Sequence, residues 1–410
     1  METRLAARMQ VLKASDIREI LKITQNRDII SFAGGLPAPE LFPTESLADL
    51  AAVLLRQKGT IALQYSPSEG YPPLREKIAK RMNKVWKTSL APEDILITTG
   101  SQQGLDLTGK LFLDEGDAIL CESPSYLGAI MSFNAFGPRW IEIPTDNDGM
   151  EMDAVERALE REARVKFIYT IPSFQNPSGR TWSMQRRREL VQLATRFNVP
   201  IIEDNPYGEL CFDGETPGMM QAMDNEGLVI SLGTFSKTFC PGLRIAWIAA
   251  KREIISKYVI LKQGADLHSS TFDQMLTDAY LETHDLEQDL MNKRAVYKQR
   301  RDAMVRALER EMPPGVSFTR PRGGLFLWVE MPEEIDAREL LQRCLDRGVA
   351  FVPGATFFPS NEKPNTMRLN YSNMPEERIE EGVRRLGAEI RSIMSETTRK
   401  ASVRRSALPV

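Results

Sequence analysis

The sequence predicts an α/β protein: a large domain built on a mainly parallel sheet covered by helices, followed by a smaller α+β domain. Two observations predict it. Short apolar runs between residues 95 and 250 alternate with stretches of helical period, the arrangement that puts helices on both faces of a parallel sheet. Past residues 285–300 the pattern changes, with a strand, a helix, two more strands and a long helix in succession.

In chain order, a covering helix is expected over 73–87. Pro72 and Pro73 start it, and Leu74, Ile78, Met82 and Val85 form one apolar stripe. ILIT (95–98), AILC (118–121), WIEI (140–143), KFIYTI (166–171), VPIIE (199–203), LVISL (228–232) and RIAWIAA (244–250) read as buried strands. LFLWVEM (325–331) is the next strand, and a helix carrying Leu340, Leu341, Cys344 and Leu345 stops at Gly348. VAFVP (349–353) and TMRLNYS (366–372) read as two further strands. The last helix starts near Pro375, with Ile379, Val383, Leu386, Ile390 and Ile393 on one face. Residues 1–45 are expected to form a segment packing on the small domain and the active site, 46–290 the large domain, 291–396 the small one, and 397–410 a tail without order.

Composition narrows the chemistry. Of 410 residues 42% are hydrophobic and 27% charged, enough for a sizeable core in a soluble chain. A net charge of -3 provides no broad basic field, so nucleic acid is not an expected partner. METRLAARMQ is not of signal-peptide type and no run approaches a membrane span, so a cytoplasmic protein without a membrane partner is expected. Cys121, Cys211, Cys240 and Cys344 lie far apart without a CxxC pair, which fits free thiols in a reducing compartment. With only His268 and His284 present, a multi-histidine metal site and a Ser-His-Asp triad are both disfavoured.

Ligands of open α/β sheets collect at the carboxyl ends of the strands, so the residues just past each strand are informative. GTFSKTFCPGLR, after LVISL, supplies Thr234, Ser236, Lys237 and Arg244, a set suited to a phosphate beside a lysine. Crowding by cations and burial lower such a lysine's pKa towards the part-time neutrality that imine formation needs. TGSQQG opens a helix, where the backbone N–H groups of Ser101 and Gln102 make an anion site; Ser101 as a plain N-cap is the simpler alternative. Asp204 ends an apolar strand and needs a cation or a donor there. A protonated pyridine nitrogen is one such group, and it turns the ring into an electron sink. Tyr207 in DNPYGE, Asn176 in QNPSG and Tyr126 in SPSYLG have the chemistry to meet a ring oxygen or stack on a ring, or to serve as ordinary turn and core residues. Arg368, on a strand between apolar neighbours, calls for either a carboxylate ligand or a structural ion pair.

The ordered set TTGSQQ, SPSY, QNPSG, EDNPY, TFSK, GLR and MRL resembles that of the fold-type-I aminotransferases over about residues 10–395. ASDIREILKITQ, SFAGGLPAPELFP, LQYSPSEGYPPLR, KQGADLH and PRGGLFLW make it most similar to the bacterial α-aminoadipate and the kynurenine/aminoadipate aminotransferases. The resemblance implies fold type I and pyridoxal 5′-phosphate as cofactor, with Lys237 as its covalent anchor. It implies that Asp204 holds the pyridine nitrogen, Asn176 and Tyr207 the ring oxygen, and Tyr126 the ring face. Ser101, Gln102, Thr234, Ser236 and Arg244 would hold the phosphate, and Arg368 the substrate α-carboxylate. Tyr65 would reach the phosphate from the partner of a homodimer, Gly35 would line the substrate pocket, and Arg18 would meet a substrate's side-chain carboxylate. Two departures stand out: Asn205 where relatives often have a second aspartate, and threonine for serine at the start of TFSK.

The implied activity is amino-group transfer from an L-amino acid, 2-aminoadipate before branched-chain or aromatic ones, to 2-oxoglutarate in two half-reactions. Other chemistries on the same scaffold, such as β-lyase, racemase or decarboxylase activity, stay open. A ligand-sensing regulator is a second alternative. The pattern begins by about residue 15, so no DNA-binding domain is expected ahead of it.

Overall fold

The computed structural model describes residues 5–10, 12, 20, 29–360 and 362–406. After a short strand, β1 (Ile30–Ser31), comes the large sheet. Its strands are β2 (Ile95–Thr99), β3 (Ala118–Ser123), β4 (Arg139–Asp146), β5 (Gly149–Met150), β6 (Val165–Thr170), β7 (Ile201–Asp204), β8 (Val229–Thr234) and β9 (Ile245–Ala249). Their spatial order is β2-β9-β8-β7-β6-β3-β4-β5. The centre, from β8 to β4, is parallel, whereas β9 is antiparallel to both its neighbours. The cause lies in the connection from Thr234 to Ile245, which holds only a single 3-10 turn at Pro241–Leu243 and is too short for a helical crossover.

Adjacent side chains of each strand enter opposite faces of the sheet. Ile119, Phe167, Tyr169, Ile202 and Ile230 join one core, with the helices Pro72–Trp86, Ser101–Phe112 and Arg252–Ala265. Leu120, Ile168, Ile201 and Val229 join the other, against Met152–Arg161 and Met184–Phe197.

The smaller sheet, antiparallel throughout, is β10 (Ser317–Phe318), β11 (Phe326–Glu330), β14 (Thr366–Asn370) and β13 (Val352–Pro353) in that spatial order, with the two-residue strand β12 (Val349–Ala350) preceding β13 in the chain. The run VAFVP therefore does not form one strand. β12 pairs in parallel with β1, and β13 pairs with β14, so the two halves serve different sheets about the buried Phe351. Ile30 N–H donates to Gly348 O and Phe32 N–H to Ala350 O, which stitches the N-terminal segment to the small domain.

A single helix crosses the region of the expected boundary. The helix Leu286–Glu311 is continuous. Leu286, Leu290 and Tyr297 pack into the large domain's core, and Ala303, Met304, Ala307 and Leu308 into the small domain's. The last helix, Glu376–Ser406, runs on into the segment for which the sequence predicts no order.

That helix and the N-terminal segment meet closely. A methyl group at Gly382 would stand 2.5 Å from the ring of Phe32 and 2.8 Å from Ile30, both fully buried. Gly382→Ala is therefore expected to destabilise by about 1–2 kcal/mol, overpacking outweighing the gain in helix propensity. Urea denaturation checks this, and an unchanged or raised midpoint would show that the contact is loose.

Candidate active site

The parallel strands bring the ends of β2, β3, β6, β7 and β8 to one rim. Because β9 runs the other way, it is its beginning, with Arg244 just ahead of it, that reaches the same rim. Arg368 arrives from β14 of the small domain. Between them lies a cavity of about 270 Å³. It is lined by twelve of the fourteen residues nominated from the sequence: Gly35, Ser101, Gln102, Tyr126, Asn176, Asp204, Tyr207, Thr234, Ser236, Lys237, Arg244 and Arg368.

Lys237 Nζ donates to the carbonyl oxygen of Gly35 at 2.8 Å and, among the described residues, has no carboxylate partner. Burial, with Arg368 and Arg244 adding like charge, pushes its pKa down to about 8. Asp204 is 2% exposed. Its Oδ2 accepts from the Tyr169 hydroxyl at 2.8 Å, while Oδ1 is buried without a hydrogen-bond partner among the described residues. Burial pushes this carboxyl up to about 7, against the opposing pull of the Tyr169 hydrogen bond. Tyr207 is buried beside the Asn176 amide, and burial raises its phenol strongly.

One end of the cavity is built for an anion. The Thr234 hydroxyl donates to Ser236 Oγ and accepts from the Ser236 N–H, each at 3.0 Å. Arg244 holds a left-handed backbone, φ 56°, and its Nη1 donates to Pro241 O at 3.2 Å and Ser236 Oγ at 3.5 Å. Gly100, at φ +76°, precedes the helix Ser101–Phe112; a side chain there would collide with the Arg244 guanidinium, so glycine lets the arginine reach the helix N-terminus. Ser101 Oγ is buried and without a partner. The Gln102 side chain is turned to Gly128 O and Ser132 Oγ at 2.8 and 2.6 Å, which leaves its backbone N–H as its contribution to the pocket. Tyr126 lies over Gly128, where any side chain would meet its ring.

At the opposite end Arg368 is 2% exposed. Its Nη1 donates to Asn176 Oδ1 at 2.8 Å and its Nη2 to Ala33 O at 2.6 Å, and Nε has no partner. The guanidinium stacks 4.2 Å from the Phe326 ring and 5.1 Å from that of Phe357. Among the described residues it forms no ion pair. Burial pushes its pKa down to about 10.

Two nominated residues are not brought into this cavity. Tyr65 is 78% exposed on the loop after the helix Thr44–Ala62, edge-on to His268 at 5.7 Å. Arg18 lies outside the described residues. Conversely, Phe326, Ile171, Pro206 and Pro241 line the pocket without having been singled out. Phe326 meets both Arg368 and Tyr207, the latter edge-on at 5.8 Å. Its signal was GGLFLW, legible as a strand but not as a wall. Tyr169 was legible only as part of the strand KFIYTI.

The residues fit a phosphorylated pyridine aldehyde. Among the described residues Asp204 Oδ1 is an acceptor without a donor, suited to a ring N–H, and Lys237 an amine without an acid, while Ser101, Thr234, Ser236 and Arg244 are a set of hydroxyls and a cation for a phosphate. Fold and site together define a fold-type-I pyridoxal-phosphate enzyme. The chain belongs to the family of class I and II aminotransferases, whose sequence profile matches residues 39–386. It is 47% identical to a 2-aminoadipate transaminase of Thermus thermophilus, over 94% of this chain and 96% of that protein. It is 45% identical to aromatic-amino-acid aminotransferase 1 of Thermococcus litoralis, over 93% of each. Its fold matches that of a Pyrococcus horikoshii kynurenine aminotransferase solved with pyridoxamine phosphate, at TM-score 0.90 and 42% identity over 95% of this chain and 97% of that one. The cofactor is pyridoxal 5′-phosphate, and amino acids and 2-oxo acids are the substrates.

In cofactor-free protein, acylation of Lys237 followed by peptide mass is expected to rise through about pH 8, whereas exposed lysines titrate at about 10.4. A shared midpoint would contradict a buried, acid-free amine. Borohydride treatment of the loaded enzyme is expected to fix the cofactor to the peptide holding Lys237, and to no peptide of Lys237→Ala.

Proposed function

We propose that this aminotransferase takes the amino group of an L-amino acid, 2-aminoadipate before branched-chain or aromatic ones, and passes it to 2-oxoglutarate in two half-reactions at one site. The observation that carries the reading is a buried guanidinium, Arg368, in one cavity with a buried amine, Lys237, neither with a counter-ion among the described residues. Each lacks a charge that an amino acid's carboxylate and the cofactor bring.

When bound, the cofactor supplies an aldehyde for amines and a ring that draws electrons from the substrate's Cα–H bond. The chain does the rest. Thr234, Ser236, Arg244, Ser101 and the Gln102 N–H would hold the phosphate. Asp204 would keep the ring nitrogen protonated, Asn176 and Tyr207 would hold the ring oxygen, and Tyr126 would cover the ring face. Arg368 takes the α-carboxylate as a fork, with Asn176 fixing one of its nitrogens. Phe326 and the Gly35 turn shape the space left for the substrate side chain. Lys237 Nζ, partly neutral, takes the Cα proton and later returns it; the second half-reaction uses the same amine in reverse.

The preference for 2-aminoadipate is supported by the ASDIREI segment, with Arg18 as the partner of a side-chain carboxylate, and by the 47% identical 2-aminoadipate transaminase. The aromatic-amino-acid and kynurenine relatives support a wider range. A homodimer in which Tyr65 reaches the partner's phosphate is supported by the exposure of Ile61, Leu63 and Tyr65, at 59%, 74% and 78%, an apolar strip that calls for cover.

A panel of amino acids with 2-oxoglutarate, reading kcat/KM, tests the reading. The expected order is 2-aminoadipate first; turnover of none would refute transamination of this class. Arg368→Ala is expected to lower kcat/KM by about 10²–10³-fold for every amino acid, and Arg368→Lys to recover little of it. A loss confined to one substrate would take the α-carboxylate away from Arg368. Arg18→Ala is expected to raise KM for 2-aminoadipate far more than for leucine, and equal changes would remove Arg18 from substrate choice.

A further inference from the structure

We infer that Tyr169 is a positioning residue of the cofactor site: its hydroxyl holds Asp204 by Oδ2 and so keeps Oδ1 as the free, charged acceptor for the pyridine nitrogen. The inference rests on the reading that Asp204 meets that nitrogen.

The sheet fixes the pair. Tyr169 on β6 lies opposite Ile202 on β7. Asp204, two residues on, shares the face of Ile202, so the phenol reaches it diagonally across the strands. The Tyr169 hydroxyl donates to Asp204 Oδ2 at 2.8 Å, with both residues buried. It is the carboxylate's one hydrogen-bond partner among the described residues, since Oδ1 has none. The ring is held edge-on by Phe133 at 5.8 Å, and no second acceptor among the described residues competes for its hydroxyl. Burial and the charge of Asp204 keep the phenol's pKa well above its ordinary value, so the group stays a donor.

The physical consequence concerns a carboxyl in a dry cavity. Without a donor it takes up a proton, and a neutral carboxyl no longer keeps the ring nitrogen protonated. Other titratable groups face the pair. Tyr126 and Tyr207 face Asp204, Glu122 faces Tyr169, and Lys237, Arg244 and Arg368 line the same cavity. The phenols are neutral at working pH, so a background lacking the Asp204 charge isolates the coupling from Glu122 and Lys237.

The sign comes from linkage. Asp204 has its folded pKa raised to about 7, so its contribution to the cofactor-free protein is full below the ordinary value of 3.8 and is lost as pH rises through about 7. Tyr169→Phe removes the one interaction that opposes this shift. The Tm gap between wild type and Tyr169→Phe is therefore expected to widen by about 2–5 °C from pH 5 to pH 9 in cofactor-free protein, and to stay flat with pH when both chains also carry Asp204→Asn. A merely structural hydroxyl gives a gap that is constant with pH, which overturns the inference. In holoenzyme with isotope-labelled cofactor, the ring-nitrogen resonance of Tyr169→Phe is expected to shift towards the unprotonated form. kcat is expected to fall about tenfold, the effect of one charge-assisted hydrogen bond, with KM for the amino acid within about twofold. A monofluorinated tyrosine placed at 169, a stronger donor of nearly the same shape, is expected to move the resonance the opposite way, and it serves as the test should the phenylalanine variant not fold. An unmoved resonance in both variants, with Asp204→Asn moving it, overturns the role of Tyr169 alone. An unmoved resonance in Asp204→Asn itself overturns the reading of Asp204 on which it rests.

Discussion

The site depends on keeping opposite charges apart. Asp204, Lys237, Arg244 and Arg368 line one cavity, yet none of the cations is paired with the carboxylate. Were Lys237 and Asp204 to meet, each would satisfy the other and neither would have a reason to bind a ligand. Instead each is tied to a neutral partner: Lys237 to a carbonyl, Asp204 to a phenol, Arg368 to an amide and a carbonyl, and Arg244 to a hydroxyl and a carbonyl. Neutral partners set the position of a charge without cancelling it. The cost of burial appears in the pKa directions: Lys237 and Arg368 are pushed down and Asp204 up, each towards its neutral form. A cofactor and a substrate that carry the missing charges relieve all of these at once.

This arrangement needs two domains. The phosphate end, Lys237 and Asp204 belong to strand ends of the large sheet, while Arg368 and Phe326 belong to paired strands of the small one, with Leu327 opposite Leu369 and Phe326 opposite Asn370. One helix, Leu286–Glu311, is shared by both cores, and the N-terminal segment supplies Gly35 and Ala33 to the seam while β1 pairs with β12. The carbonyls of Gly35 and Ala33 hold Lys237 and Arg368 respectively. A short stretch of chain therefore touches both Lys237 and Arg368.

Much of this was legible because a parallel sheet collects its strand ends on one rim. Lys237, Asp204, Asn176, Ser101 and Tyr126 each come at or just after an apolar run, and position alone singles them out. What escaped did so for physical reasons. Phe326 and Tyr169 sit within strands, where an aromatic residue looks the same whether it fills a core or walls a site. The antiparallel sense of β9 is set by the length of a loop and not by any apolar period, so RIAWIAA gave no sign of it. VAFVP has the composition of one strand, and only the arrival of β1 divides it between two sheets. Across the expected boundary near residue 290 one helix carries apolar residues for both cores in succession, a feature that a change of pattern does not reveal. Tyr65 shows a different limit, since its proposed place is against another copy of the chain.

Asn205, the departure from the family pattern at EDNPY, sits apart from the cavity's chemistry. It lies beside Asp204, 7% exposed, with its amide oxygen buried and unpartnered and packed against the backbone of Gly208, where a side chain would strike it. Asn205 is not among the residues that line the cavity; with Met82, Trp86 and Glu209 it borders a different pocket. Successive side chains at a strand end point to opposite faces, so the exchange at 205 changes the chemistry beside Gly208 and leaves the phenol of Tyr169 as the partner of Asp204 among the described residues.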